Sequence, residues 1–245
     1  MNDLVDPNHP NSTHTTALMK INLLTALALV IAPALFAADL SPKDDVIAAA
    51  KKLAEKANYS WKSTVVVPES SQWKPGPTEG KTEKDGFTYV TMSFGDNLTE
   101  AAMKGDKAVI TNQDGDWKTA AELEGGEGPG RFMGRMVRNL KAPAAQVTEL
   151  VAGIKELKKD GDVYSGDLTD EGAKAQFRMG NTKDAKGSVK FWLKDGALSK
   201  FELKVTGKVE FNGNERDVDR ATTTEIKEVG TTKVNVPEAA KKKLG

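Results

Sequence analysis

Two periods divide the chain. Over residues 41–57, SPKDDVIAAAKKLAEKA, apolar side chains recur every three or four positions. Val46, Ala50, Leu53 and Ala57 form one stripe, widened by Ile47 and Ala54, as an amphipathic helix requires. Ser41 suits the cap, Pro42 the first helical position, and Asp44 and Asp45 the positive end. The pattern predicts a helix over 41–57.

From YSWKSTVVV (59–67) onward the period falls to two, with one break at PESSQWKPGP (68–77). Asp85-Gly86, Asp114-Gly115, Asp160-Gly161, Asp195-Gly196 and Asn212-Gly213 mark tight hairpin turns, because Asp, Asn and Gly tolerate positive φ. FGDN (94–97) and KGDK (104–107) add two weaker turns. Between the turns lie runs of strand length. In ALSKFELKVTGKVEF (197–211), Phe201, Leu203, Val205, Val209 and Phe211 point one way. Lys200, Glu202, Lys204, Lys208 and Glu210 point the other, the signature of an antiparallel strand with one wet face. SVKFWLK (188–194) turns Val189, Phe191 and Leu193 inward, and FTYVTMSF (87–94) does the same with Val90, Met92 and Phe94. A long meander with one apolar face must be covered.

Helices are the available cover. RFMGRMVRNL (131–140) places Arg131, Arg135 and Arg138 on one face, and Phe132, Met133, Met136, Val137 and Leu140 on the other. A helix from Ala144 to about Gly153 aligns Val147, Leu150, Val151 and Ile154, and a short one follows Thr169. The fold class is therefore α+β: a curved antiparallel sheet, a half-barrel, with helices packed on its concave face.

Composition then narrows the chemistry. MKINLLTALALVIAPALFAADL (19–40) has one basic residue, an apolar run and small residues at its end, the form of a secretory signal peptide cut after Ala37. Residues 1–18 read as an upstream extension or a misplaced start, and residues 38–245 as a single domain that is exported, periplasmic or secreted. Lys and Arg number 35, and Asp and Glu number 35. That balance offers no footprint for nucleic acid. Cysteine is absent, and His9 and His14 both precede the leader. The processed chain thus lacks the residues for serine–histidine or cysteine–histidine catalysis and for Cys- or His-based metal sites. No catalytic residue, metal ligand or cofactor is expected, and the protein reads as non-enzymatic.

The element order resembles that of the periplasmic Lol-type outer-membrane lipoprotein carriers and related lipid-binding lipoproteins. It consists of a leader, a first helix, hairpins through KDGFTYVTMSFGDN and GDKAVITNQDGDWKT, a helical pair and a closing meander, over residues 39 to about 237. The resemblance implies a half-barrel whose helices lid an apolar cavity, and a lipid or lipid-modified protein as partner.

On this pattern the apolar ligand-binding candidates are Val90, Met92, Phe94, Phe132, Met133, Met136, Leu140, Phe201, Leu203 and Val205. Arg131, Arg135 and Arg138 would form a polar lid face able to meet lipid phosphates or an acidic partner, at a membrane surface or on an envelope protein. Gly125, Gly126, Gly128 and Gly130 would let the lid hinge. Arg220 shares a face with Val218, Thr222, Thr224 and Ile226. It is either an inward arginine needing an acceptor or a wet residue on an edge strand. NQDGDW (112–117) has calcium-loop spacing, but Trp117 and Leu123 stand where glycine and glutamate are needed, so a hairpin explains it better. GGEGPG (125–130) lacks the phosphate-loop ending and reads as a linker, and Asp170 and Glu171 read as helix-start acids. The alternative to a lipid binder is an envelope structural or interaction module of the same fold with a filled core. A hydrolase built on two carboxylates would need two acids converging in a cleft.

Overall fold

Every strand runs antiparallel to its neighbours, and the strand order explains the shape. The computed structural model describes residues 41–245 apart from 72–73, 95–96, 113, 126–128, 178–180 and 212, and omits the side chains of Phe94, Pro129 and Phe211. The leader expected at 19–37 and the stretch before it lie outside the described residues. The first meander comprises β1 (Asn58–Val66), β2 (Pro75–Glu83), β3 (Thr88–Phe94), β4 (Asn97–Lys104), β5 (Lys107–Thr111) and β6 (Trp117–Thr119). The second comprises β7 (Lys158–Asp160), β8 (Val163–Asp167), β9 (Asn181–Lys194), β10 (Ala197–Phe211) and β11 (Asn214–Lys227). They join as one open eleven-stranded sheet in the order β6-β5-β4-β3-β2-β1-β11-β10-β9-β8-β7. The seam is the β1–β11 ladder, from Ser60 opposite Lys227 to Val66 opposite Ala221. Ser63 and Thr224 share a hydroxyl hydrogen bond of 2.8 Å across it. The two outer edges, β6 and β7, are three residues each and carry Lys118, Lys158, Lys159 and Asp160. Short charged edges resist further strand addition.

The hairpins fall at the predicted turns. Asp195 and Gly196 both have positive φ, 53° and 67°, the requirement of the tightest hairpin turn. The FGDN turn holds Gly95 and Asp96, which lie outside the described residues.

Six helices complete the element order: α1 (Pro42–Ala54), α2 (Ala120–Glu124), α3 (Pro129–Arg138), α4 (Pro143–Ala152), α5 (Asp170–Lys174) and α6 (Glu238–Leu244). Ser41 caps α1 by accepting from the Asp44 amide at 3.2 Å. The helix stops three residues short of the predicted Ala57, which is exposed, and Ala49 joins Val46, Ala50 and Leu53 in the buried stripe. Residues of α1 through α5 share one core with Val90, Ile110, Phe191 and Phe201 of the inner face. The outer face is covered in one place. Ala102 and Val109, pointing opposite to Ala101 and Ile110, are buried with Val236, Ala240 and Leu244 at and before α6. So β4 and β5 are sandwiched, and the sequence pattern foresaw only the inner layer.

Trp61 shows how one missing side chain sets the packing. It stands opposite Gly80 on β2 and is 3% exposed. A Cβ on Gly80 would meet the indole at 2.1–2.5 Å, so the ring lies flat across the glycine. Tyr59 packs beside it, with ring centroids 5.9 Å apart. Burial pushes the Tyr59 phenol up to about 12, against a backbone hydrogen bond from Ala144 at the start of α4 that acts the other way.

Gly80→Ala should lower the unfolding free energy by about 1–3 kcal/mol, the usual cost of overpacking a close-packed core. Urea unfolding followed by tryptophan fluorescence checks this; an unchanged midpoint would mean that Trp61 does not need the gap.

Candidate functional site

The floor of the inner face comes from the strands. Val90 and Met92 on β3, and Phe201 and Val205 on β10, are 0–4% exposed. Leu203, opposite Val189 and Thr222, is half-buried against the same core. Phe191 and Phe201 pack with ring centroids 6.4 Å apart. Five of the predicted inward residues therefore share one face, and the side chain of Phe94 lies outside the described residues.

Over β5 sits α3, docked beside α2. Its tightest contact is at Gly134, where a Cβ would stand 2.8 Å from the Ala120 carbonyl oxygen and 2.9 Å from Glu124 Cγ. Val137, one turn on, is fully buried. Met133, Met136 and Leu140 are only half-buried against the core. Phe132, assigned by pattern to the apolar arc, is 42% exposed. The contact line runs through Gly134 and Val137, and Phe132 lies five residues from Val137, about 140° round the helix. It therefore shares the outer side with Arg131 and Arg135, both exposed. Arg138 pairs with Glu124 at 2.8 Å. Of the expected hinge glycines, Gly125 caps α2 and Gly130 is the second residue of α3, while Gly126 and Gly128 lie outside the described residues.

Arg220 is on the inner face of a central strand, opposite Val205. Its Nη2 donates to the Gln176 carbonyl oxygen just after α5, at 2.7 Å. The acceptor lies 44 residues away, beyond any local pattern. The other motifs have structural roles. Asn112 Oδ1 accepts from the amides of Asp114 (3.1 Å) and Asp116 (2.7 Å), closing a turn between β5 and β6. Thr169 caps α5 at the Gly172 amide. Among the described residues no group of three Cys, His, Asp or Glu side chains is placed to hold a metal. Two shallow concavities of about 450 and 280 Å³ open on β8, β9 and β10. Lys155, Lys158, Asp167, Ser188, Lys190 and Lys204 contribute to their walls, and none of the ten predicted ligand-binding residues does.

A clamp that sequence reasoning missed holds the neighbouring roof. α1 packs on β10 and α4. Its Asp45 carboxylate accepts from Lys159 Nζ at 3.0 Å and from the Tyr164 hydroxyl at 2.8 Å. Lys43 Nζ donates to the Ile154 carbonyl oxygen. These bonds tie the start of α1 to the β7–β8 edge. Asp45 was visible only as a helix-start acid, since its partners lie more than a hundred residues on. The hydrogen bond from Lys159, then that from Tyr164, holds the Asp45 carboxyl below the usual carboxylate range. The hydrogen bonds to Tyr164 and Asp45 raise the Lys159 ammonium above its own range.

No protein-family model matches the sequence, and no curated protein matches it significantly. Solved structures do resemble it. The lipoprotein LppX of Mycobacterium tuberculosis is 11% identical with a TM-score of 0.45, over 80% of this chain and 98% of that one. LprF of Mycobacterium bovis is 11% identical with a TM-score of 0.45, over 81% and 97%. A LolA superfamily protein of Nitrosomonas europaea is 6% identical with a TM-score of 0.35, over 80% and 96%. These likenesses are distant, and the fold stands on the strand order and register above.

A depressed carboxyl contributes stability that is complete above its unfolded value, here near 3.8, and is lost as pH falls through the folded value. Asp45→Asn should therefore be less stable than the parent at neutral pH, with the gap closing below pH 3.8. Thermal unfolding across the acid range checks this; a gap independent of pH would mean that the Asp45 charge does not contribute.

Proposed function

We propose that this chain is an exported, non-enzymatic protein that holds an apolar ligand, a lipid or the acyl chain of a lipid-modified protein, between α3 and the inner face of the half-barrel. The observation that carries this is the uneven seating of α3. The strand side chains of the inner face are 0–4% exposed at Val90, Met92, Phe201 and Val205, yet Met133 and Met136 of α3 and Leu140 just after it are only half-buried against the shared core. A cover whose closest contacts lie at Gly134 and Val137 would be displaced at low cost. An acyl chain would then replace the α3 side chains against the inner face of the sheet. Methionines suit such a lid, because unbranched thioethers repack around chains of different length. Each methylene taken from water contributes about 0.8 kcal/mol, so one chain supports micromolar binding after the costs of ordering.

The second reading is a structural or interaction module with a filled core. The same burial favours it, since side chains already cover most of the floor. The two readings differ in whether α3 yields.

Native mass spectrometry decides between them, on protein exported and purified without detergent, followed by organic extraction. The expected result is an added mass that extracts as lipid, or uptake of a supplied fatty acid or phospholipid. Met136→Lys, which sets a charge in the half-buried arc, should cut uptake at least about tenfold, the effect of burying an unpaired polar group. A clean apo mass with no uptake would contradict the lipid reading and leave the structural module.

A further inference from the structure

The outer side of α3 carries a feature that ligand binding inside the barrel does not use. Arg131, Phe132 and Arg135 are all exposed and lie on one arc of the helix. Phe132 is one of few large apolar side chains exposed among the described residues. α3 contains no acidic residue. The acids of neighbouring α2 are already engaged. Glu124 pairs with Arg138 at 2.8 Å. Glu122 accepts from Lys243 Nζ and from the Thr119 amide, each at 2.6 Å. The Lys243 hydrogen bond is the first of the causes holding its carboxyl down at about 2. Among the described residues no carboxylate lies within ion-pair distance of Arg131 or Arg135. Among the described residues, two guanidinium groups without a carboxylate partner thus lie beside an exposed aromatic ring.

We propose that this arc of α3 is a membrane-docking face that binds an anionic phospholipid bilayer, with Arg131 and Arg135 on lipid phosphates and Phe132 entering the headgroup region. The chemistry is that of an interfacial amphipathic helix: cations at the phosphate level and an apolar side chain below them. Guanidinium groups engage phosphate in paired hydrogen bonds, and a single buried ring keeps attachment reversible. Docking there brings the half-buried arc of Met133, Met136 and Leu140 close to the lipid source. The inference deepens the lipid-binding reading and rests on it for its purpose, while the docking itself is measured separately.

The test is co-sedimentation with vesicles of phosphatidylglycerol mixed with phosphatidylcholine, and with pure phosphatidylcholine vesicles, using protein exported and purified without detergent. The wild type should bind the anionic vesicles at low salt, release them at high salt and bind the neutral ones weakly. Arg131→Gln with Arg135→Gln should weaken anionic binding about thirty-fold, as two basic side chains at a charged surface imply. Phe132→Ser should weaken it while leaving its salt dependence in place. Lys158→Gln with Lys190→Gln, on the lysine-lined concavity at β8 and β9, should change nothing. Absence of binding to anionic vesicles, equal binding by the double arginine variant, or loss through the lysine pair instead would overturn the proposal. Fatty-acid uptake without vesicles is read on the wild type alone. Docking without uptake leaves this face standing and removes the lipid-binding reading; uptake without docking does the reverse.

Discussion

One ladder makes this molecule a single sheet. β1 and β11 are joined by pairs such as Ser63 with Thr224, 161 residues apart, and among the described residues no other strand ladder joins the two meanders. Without that seam the chain would present two smaller sheets, each with a long unpaired edge. With it, the apolar alternation of both halves adds up to one inner face, wide enough to need five helices. Asn58 reinforces the joint: its side-chain oxygen accepts from the Thr232 amide and its carbonyl from the Gly230 amide. The seam also sets Trp61 of the first meander opposite Ile226 of the second, so both halves of the sheet contribute to the inner core.

The cover over that face is uneven, and the proposed function rests on the unevenness. α1 and α4 bury whole stripes, and α1 is held by the Asp45–Lys159–Tyr164 clamp at the sheet edge. α3 makes its closest contact at Gly134, buries Val137 and leaves Met133 and Met136 half-covered. Local stability tracks buried contacts, so elements that must move to admit a ligand come from the loosely seated end of that range. The same helix turns Arg131 and Arg135 outward. In the proposed function one element would face the ligand with its methionines and a bilayer with its arginines.

Much of this was legible in the sequence, and the failures have physical causes. Alternation identified β3, β9 and β10 and placed Val90, Met92, Val189, Phe191, Leu193, Phe201 and Val205 inward, because one face of each strand is wet and the other dry. Turn chemistry located the hairpins, because positive φ restricts the residues that can stand there. β2 was hidden: PGPTEGKTE has no apolar alternation, and it holds its place because Gly80 makes room for a ring on β1. α1 was drawn too long because Ala57 continues the stripe by spacing alone. α2 and α6 are too short for periodicity, although Thr119 and Glu122 form a readable capping box. The side of α3 that Phe132 takes depends on where α2 presses against Gly134, a tertiary fact. The Arg220 and Asp45 contacts are long-range and leave no local trace.

The central claim is that α3 is a separately opening cover on a rigid sheet. Native-state hydrogen exchange with mass-spectrometric readout tests it most directly. The account predicts that the amides of α3 exchange through local opening far faster than those of α1 and β10, and slow when a fatty acid or phospholipid is added. Exchange of α3 at the global rate shared with α1 and β10, unchanged by lipid, would contradict it and leave α3 as a fixed part of the core.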